Sequence, residues 1–252
     1  MRFQTSGLIA PGKYGFAVKT ENGWSVLDAE RNPIGITVPA TKELNVLKRS
    51  EYRLLGLETG ESRVIRFADL HRHSDNSLQD GMTKVKEMVA RTEYAGALTD
   101  HGNMYGYLEF YKGMKKAGKK PILGFEGYME NLSGELDRNH VILLAKNDVG
   151  YKNLLKLTSE SFDHFHSKPH VTWDMLRKYH DGIICLSACL AGIIPEALVK
   201  GNSVVARTAI EQYIKIFGKD DFYIEIQRHH IHDEDIIRPK LASLAEGYGL
   251  KI

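Results

Sequence analysis

The chain has 252 residues, 42% hydrophobic and 26% charged, with a formal net charge of +2. That is enough for one large or two small domains with a buried core, and too apolar and too nearly neutral for wholesale disorder. No stretch approaches the ~18 apolar residues of a membrane span, the opening MRFQTSGLIAPGKYGF lacks a signal peptide's apolar core, and the charge balance argues against a protein that coats DNA by charge alone.

Residues 1–66 carry short alternating runs, Gly15–Lys19 and Trp24–Leu27, separated by the turn signals Glu21-Asn22-Gly23 and Asn32-Pro33. They predict a small β-rich module, with 41–63 as an edge strand or linker. No chemistry is evident there. From Arg66 the pattern turns regular. Apolar runs at Phe67–Leu70, Ala97–Thr99, Pro121–Tyr128, Val141–Ala145, Gly182–Ser187 and Phe222–Ile226 read as buried strands, and another begins at Leu250–Ile252. Between them, Val85, Met88, Val89 and Thr92 at i, i+3, i+4, i+7 predict a helix stopping at Gly96, and further helices fit 104–117, 148–161, 173–179, 193–200, 203–217 and 234–247. This alternation predicts an α/β domain over 67–252 with a largely parallel sheet, closing more like a barrel than an open sheet, with functional residues at the carboxyl ends of strands. The chain ends as the last strand begins, which reads as a fragment.

Cys185 and Cys189 lie only four residues apart on a strand and its exit and form no disulfide framework; a cytoplasmic protein is expected. Histidine is the oddity, with eleven copies, several beside acids. His71-Arg72-His73 closes an apolar strand, so both imidazoles project to one side and can serve one metal ion. Asp80, in the turn Gln79-Asp80-Gly81, can reach a neighbouring ion. At the end of the next strand stands Asp100-His101-Gly102, where the histidine is a candidate ligand and the acid orients something behind it. Glu126 is a carboxylate inside an apolar strand and needs a cation or a proton. His140 and Cys189 flank two further strands, and a thiolate with imidazole favours zinc or a similar ion. Cys185, in mid-strand, reads as core.

Five segments in order, DLHRHSDNSLQDG, ALTDHGNMYGYLEFYKGMKKAGKKPILGFEGY, HVILLAKNDVGYKNLLKL, GIICLSACLAGIIPEAL and DFYIEIQRH, resemble the PHP (polymerase and histidinol phosphatase) domain at the amino end of bacterial DNA polymerase III alpha subunits. The resemblance covers about 67–252. It implies a distorted (β/α)7 barrel, incomplete at its last strand, holding up to three divalent ions, zinc or manganese with magnesium an option. Seven of the family's nine ligand positions match: His71, His73, Asp80, His101, Glu126, His140 and Cys189. By analogy one ion takes His71, His73 and Glu126, a second Glu126, His140 and Cys189, and a third Asp80 and His101. The other two ligands, an Asp and a His, belong to a motif expected just after Ile252. The implied partners are DNA at a primer 3′ end and the rest of the polymerase chain, or a second fragment supplying the last strand, with no membrane.

The implied chemistry is metal-assisted phosphate-ester hydrolysis, in a polymerase setting 3′→5′ proofreading, with His71, His73, Asp80, His101 and Glu126 as its catalytic residues. Polymerisation needs the paired aspartates of a palm domain, which the family places downstream. The rival readings are a free-standing phosphoesterase of the histidinol-phosphatase type and a non-catalytic module supporting a polymerase. Residues 1–66 depart from the family, which usually starts near the paired histidines. Arg72 stands where an apolar residue is usual and is expected at the site mouth or paired with Asp69 or Asp75. His140 falls at the entrance of its strand, so that strand runs antiparallel or its bounds shift by several residues. Lys112, Lys115, Lys116, Lys119 and Lys120 share helical spacing and form a solvated face or a backbone-steering stripe. His164, His166 and His170, and His229, His230 and His232, read as loop histidines.

Overall fold

A computed structural model of the chain describes the backbone of 14–20, 23–27, 33–38, 51–56 and 62–66, and residues 68–78 and 80–252 in full. The expected linker positions 41–50 and 57–61, and Phe67 of the first expected strand, lie outside the described residues. The chain divides into two compact units, Met1–Ala68 and Asp69–Ile252. In the first, β1 (Tyr14–Thr20), β2 (Gly23–Leu27), β3 (Pro33–Val38), β4 (Glu51–Gly56) and β5 (Ser62–Arg66) form an antiparallel sheet in the order β3-β2-β1-β4-β5.

The second unit is a mixed α/β fold. Its strands are β6 (Ala95–Leu98), β7 (Lys120–Glu130), β8 (Leu136–Ala145), β9 (His170–Val171), β10 (Ile183–Leu186) and β11 (Phe222–Tyr223). They pair in the order β11-β10-β8-β7-β6, with β9 against β7. The helices are α1 (Val85–Arg91), α2 (Tyr107–Lys116), α3 (Asp148–Ser161), α4 (Trp173–Tyr179), α5 (Ile193–Val199), α6 (Ser203–Phe217) and α7 (His232–Tyr248).

Single parallel bridges, Asp69 to Gly96 and Tyr223 to Lys251, extend the two edges. The expected strands at 67–70 and 250–252 are therefore one-bridge contacts, and the ladder of the sixth stops at Tyr223. Among the described residues no ladder joins the two edges, so the hydrogen-bonded path is open.

The sheet is not largely parallel. β6 pairs with β7 and β10 with β11 in parallel, but β8 runs antiparallel to both β7 and β10. The cause is the short connection from β7 to β8. Asn131 Oδ1 accepts from the backbone N–H groups of Ser133 (2.9 Å) and Glu135 (3.0 Å), and Gly134 takes φ +85°. Such a turn reverses the chain on the spot, whereas a parallel return needs a crossover of about a dozen residues.

Side chains alternate across this sheet. Phe125, Leu143 and Cys185 point into the main core with Leu154, Leu157, Leu176 and Ile210 of the helices; there Trp173 packs 4.8 Å from Tyr213, which stacks 4.9 Å from Phe222. Ala97, Ile142, Leu144 and Leu186 form a separate apolar layer. Cross-strand register pairs Glu126 with Ile142, so the carboxylate shares the second face. Burial of both faces explains the near-continuous apolar strands of the sequence. The first helix ends at Arg91 rather than Gly96, which belongs to β6.

Asn147, Thr172 and Asn202 cap α3, α4 and α6 by accepting from Gly150, Met175 and Val205. At the first of these caps the backbones touch closely: a Cβ on Gly150 would lie 1.7 Å from the carbonyl oxygen of Gly182. Gly150→Ala gains about 1 kcal/mol of helix propensity but forces two backbone segments apart, an overpacking cost of about 1–3 kcal/mol. The net effect expected is destabilisation, read as a lower urea midpoint at unchanged m-value.

Candidate functional site

The site begins where the chain runs beside β6. Ala97 N donates to Asp69 O (2.8 Å) and Thr99 N to Arg72 O (2.9 Å). This extended course sends His71 and His73 to one side and Arg72 to the other. Both histidines reach Oε2 of Glu126, His71 through Nε2 at 2.8 Å and His73 through Nε2 at 2.7 Å. The second contact is out of line, and His73 Nε2 has no hydrogen-bond partner among the described residues.

Arg72 is not at the mouth. Its Nε donates to Ala97 O (3.1 Å) and its Nη1 to Thr92 Oγ1 (2.9 Å), with Asp69 at 3.9 Å. It passes over Gly96, where a Cβ would meet Nη2 at 2.3 Å. A side chain there would push the guanidinium aside, and Gly96 is a strand residue, not a helix stop.

The remaining residues come in from other strands. His101 follows β6, bridges to Glu126 through the backbone, and places Nε2 3.4 Å from Glu126 Oε2 and 2.9 Å from Asp80 Oδ2. Asp80 Oδ2 also lies 2.9 Å from His73 Nδ1. From β8, His140 Nδ1 is 2.8 Å from Glu126 Oε1. Because β8 is antiparallel, its residue 140 stands opposite Tyr128 of β7, on the same end of the sheet as the exits of its neighbours. Cys189 follows β10 with Sγ 4.0 Å from Glu126 Oε1 and 3.8 Å from His140 Nδ1. Six of the seven residues expected from the sequence therefore gather around the carboxylate of the seventh, Glu126, with Asp80 joined through His73 and His101.

Backbone and buried polar groups hold these loops. Asp100 is buried and accepts from Ser74 N (2.6 Å) and Ser74 Oγ (2.7 Å), locking the turn after His73. Ser77 Oγ donates to Asp80 Oδ1 (2.9 Å) and accepts from His101 N (3.1 Å). His140 N donates to Ala191 O (2.9 Å), tying the Cys189 loop to β8, and within that loop Ala188 adopts φ +61°. A non-glycine residue held there costs about 1–3 kcal/mol, tolerated where surroundings over-determine it.

Glu225 escaped sequence reasoning. Its Oε1 lies 2.7 Å from His71 Nδ1 and accepts from Gln227 Nε2 (2.6 Å), and its buried Oε2 has no hydrogen-bond partner among the described residues. The signal was present: Glu225 in FYIEIQ is an acid in an apolar strand, like Glu126 in LGFEGY.

Two of the other histidines do structural work. His170 is buried with both ring nitrogens on backbone oxygens, Lys168 O (2.8 Å) and Asp137 O (3.0 Å). His229 Nδ1 lies 2.8 Å from the buried Glu234 in the first turn of α7. The lysine stripe is not one helix face, because α2 ends at Lys116 and Lys119 Nζ donates to Val89 O (2.7 Å).

Charge in the cluster follows from these contacts. Burial opposes ionisation of Glu126, but the imidazoles of His140, His71 and His73 outweigh it and hold the carboxyl well below its usual range. Burial would lower His71, yet the carboxylates of Glu126 and Glu225 push it up to about 10. Burial lowers His101 despite Glu126. Burial, then the charge of Glu126, pushes the Cys189 thiol up to about 12.

Three sets of donor atoms, His71/His73/Glu126, His73/Asp80/His101 and His101/Glu126/His140, each lie within 4.8 Å of one another. Imidazole nitrogens and carboxylate oxygens crowded in this way suit a borderline divalent cation. The buried nitrogens His73 Nε2 and His101 Nδ1, which make no hydrogen bond among the described residues, fit the same account.

The family model described as PHP domain matches residues 69–229. The chain belongs to the PHP domain family. It is 44% identical over 200 residues to DNA polymerase III subunit alpha of Borreliella burgdorferi, covering 74% of this chain and 17% of that protein. For the subunit of the same name in Campylobacter jejuni the figures are 39% over 208 residues, 74% and 17%. For that of Thermus aquaticus they are 36% over 203 residues, 74% and 16%. This PHP chain thus spans 16–17% of the length of these relatives.

Without a cation, the raised pKa of His71 makes its ion pairs stabilising below the ordinary histidine value of 6.5, and that contribution is lost as pH rises toward about 10. Chelator-treated protein is expected to lose stability across this window, and His71→Gln to show a shallower decline. Denaturant midpoints at stepped pH would check it; identical slopes would contradict the ion-pair account.

Proposed function

We propose that the chain is the amino-terminal PHP portion of a DNA polymerase III alpha subunit, and that its own chemistry is metal-dependent hydrolysis of a phosphate ester. The observation that carries the chemistry is the convergence on Glu126 of four imidazoles, with a thiol at 4.0 Å. The polymerase setting rests on the alpha-subunit relatives; nothing in the site favours a free-standing monoesterase. The substrate proposed is a DNA primer end trimmed 3′→5′ in the cytoplasm, and the partner is the rest of the polymerase. No helix among the described residues is long and apolar enough to cross a membrane.

The fold proposed is the (β/α)7 barrel. Its support is the pairing of His71, beside β6, with Glu225, just past β11, which brings the two edges of the sheet within side-chain reach.

His71, His73 and Glu126 would hold one cation, Glu126, His140 and Cys189 a second, and Asp80 with His101 a third, of zinc or manganese, with magnesium an option. Such cations supply Lewis-acid polarisation of a phosphoryl oxygen and acidify a water. The protein's own residues prepare that chemistry. Glu126 stays ionised although buried, so it would offer its charge to the cations these residues would hold. Glu225 fixes the ring of His71 through Nδ1 and leaves Nε2 facing Glu126, the second-layer arrangement that sets ligand orientation. Asp80 is the exposed member. Burial works against its charge, but the Ser77 hydroxyl and the two histidines lower its pKa, so it meets incoming substrate as a carboxylate.

Since His71 keeps its proton to about 10 and Cys189 to about 12, cation loading at neutral pH should displace protons and tighten as pH rises. Manganese or zinc titrated into stripped protein in weak buffer is expected to release protons. Glu126→Ala should lose the most metal, Cys189→Ala a part, and Cys185→Ala none, since Cys185 sits in the apolar layer. Metal content by mass spectrometry, alongside cleavage of a 3′-labelled primer, tests the reading. Near-zero metal in protein purified without chelator, or equal losses from both cysteine variants, would sink it.

A further inference from the structure

An aromatic ring stands in the wall of the donor cluster. Tyr128 follows Glu126 by two residues in β7, so both side chains leave the strand on one face. Antiparallel register sets Tyr128 directly opposite His140 of β8. Its ring lies edge-on to that of His140, with centres 5.3 Å apart and planes at 77°. It also stacks on His101, which arrives from the exit of β6, at 5.3 Å and 14°. The two imidazoles meet each other at 4.8 Å. The three rings are thus in mutual contact, and Tyr128 is buried.

These contacts matter because an imidazole offers its lone pairs in the plane of its ring, so that plane decides where a cation can sit. The backbone of the His101 loop is already fixed: Gly102 N donates to Glu126 O (2.8 Å), and Glu126 N donates to Asp100 O (3.1 Å). What remains is rotation of the ring, a broad and roughly two-fold torsion. For His71 that freedom is removed by Glu225 and Gln227, 2.7 and 3.0 Å from Nδ1. For His101 and His140 it is Tyr128 that lies against the ring. Among the described residues its other ring contact is the structural His170, at 6.3 Å, and none is made to His71 or His73.

We propose that Tyr128 is a positioning residue: its ring sets the planes of His101 and His140, and so governs the two cation places those histidines serve, apart from the place of His71 and His73. This rests on the metal-centre reading above and deepens it. The contact is selective by construction. Offset stacking and edge-on packing are the two arrangements that aromatic rings favour, and Tyr128 makes one with each histidine. The phenol hydroxyl has no part in it.

The test uses the whole chain, stripped of metal and titrated with manganese, with calorimetry counting the cations bound and their affinities. Tyr128→Phe keeps the ring and should match the parent within about twofold. Tyr128→Leu removes it and should weaken two cations about 10- to 100-fold, the usual effect of losing a group that orients a ligand, while one stays at parental affinity. Adding His71→Gln should then abolish that one. Cobalt(II) in place of manganese should show an altered visible spectrum in Tyr128→Leu and a parental one in Tyr128→Phe. The thermal midpoint of metal-free protein identifies a variant that does not fold; Tyr128→Met, with an adaptable side chain, then carries the same test. Equal weakening of every cation, parental binding by Tyr128→Leu, or a loss in Tyr128→Phe as large as in Tyr128→Leu overturns the assignment and leaves the metal-centre reading intact. A stripped parent that takes up neither manganese nor cobalt sinks that reading, and the role of Tyr128 with it.

Discussion

The arrangement depends on a single buried carboxylate. Glu126 is fully inaccessible on a strand whose neighbours are apolar, and burying such a charge unpaired would cost several kcal/mol. It is tolerable only because imidazoles surround it, and those imidazoles come from residues scattered between 71 and 140. The carboxylate therefore acts as a folding constraint as well as a chemical centre. Chain segments that fail to deliver their histidines leave a charge stranded in the apolar face lined by Ile142 and Leu144.

That constraint explains why the loops around the cluster are so heavily braced. Asp100 clamps Ser74, Ser77 joins Asp80 to the His101 backbone, and the Cys189 loop hangs on the His140 strand. None of these groups reaches the cluster's centre. Each removes freedom from a residue that does, so that the donors converge before any cation arrives.

The two cysteines illustrate how the end of a strand separates structure from chemistry, since residues four apart on a continuous strand would share one face. Cys185 lies within β10 and enters the apolar layer beneath the helices, where burial alone drives its thiol pKa well up. Cys189 lies past the strand end, where Ala188 turns the backbone and aims the next side chain toward His140. Arg72 makes the same point in reverse. Sitting between two cluster histidines, it is thrown by alternation to the opposite side, where Thr92 and the Ala97 carbonyl receive it.

Much of this was legible in order along the chain. Apolar runs bounded by turns located β6, β7, β8 and β10, helical spacing located the helices from α2 to α7 within a few residues, and His-x-His, Asp-His-Gly and the lone strand acid marked the cluster. Glu225 was equally visible by the acid-in-strand argument and was passed over. Strand direction was not legible from the alternation of elements: the antiparallel course of β8 is set by a five-residue turn, and it alone decides that His140 faces Glu126. The stacking of Tyr128 on His101 was also invisible, because it joins β7 to the exit of β6. Composition and periodicity dictate which residues are buried and on which face, since those follow from local geometry and the hydrophobic effect. Which buried residues meet is decided by chain reversals and long-range contacts, and only the tertiary structure contains those.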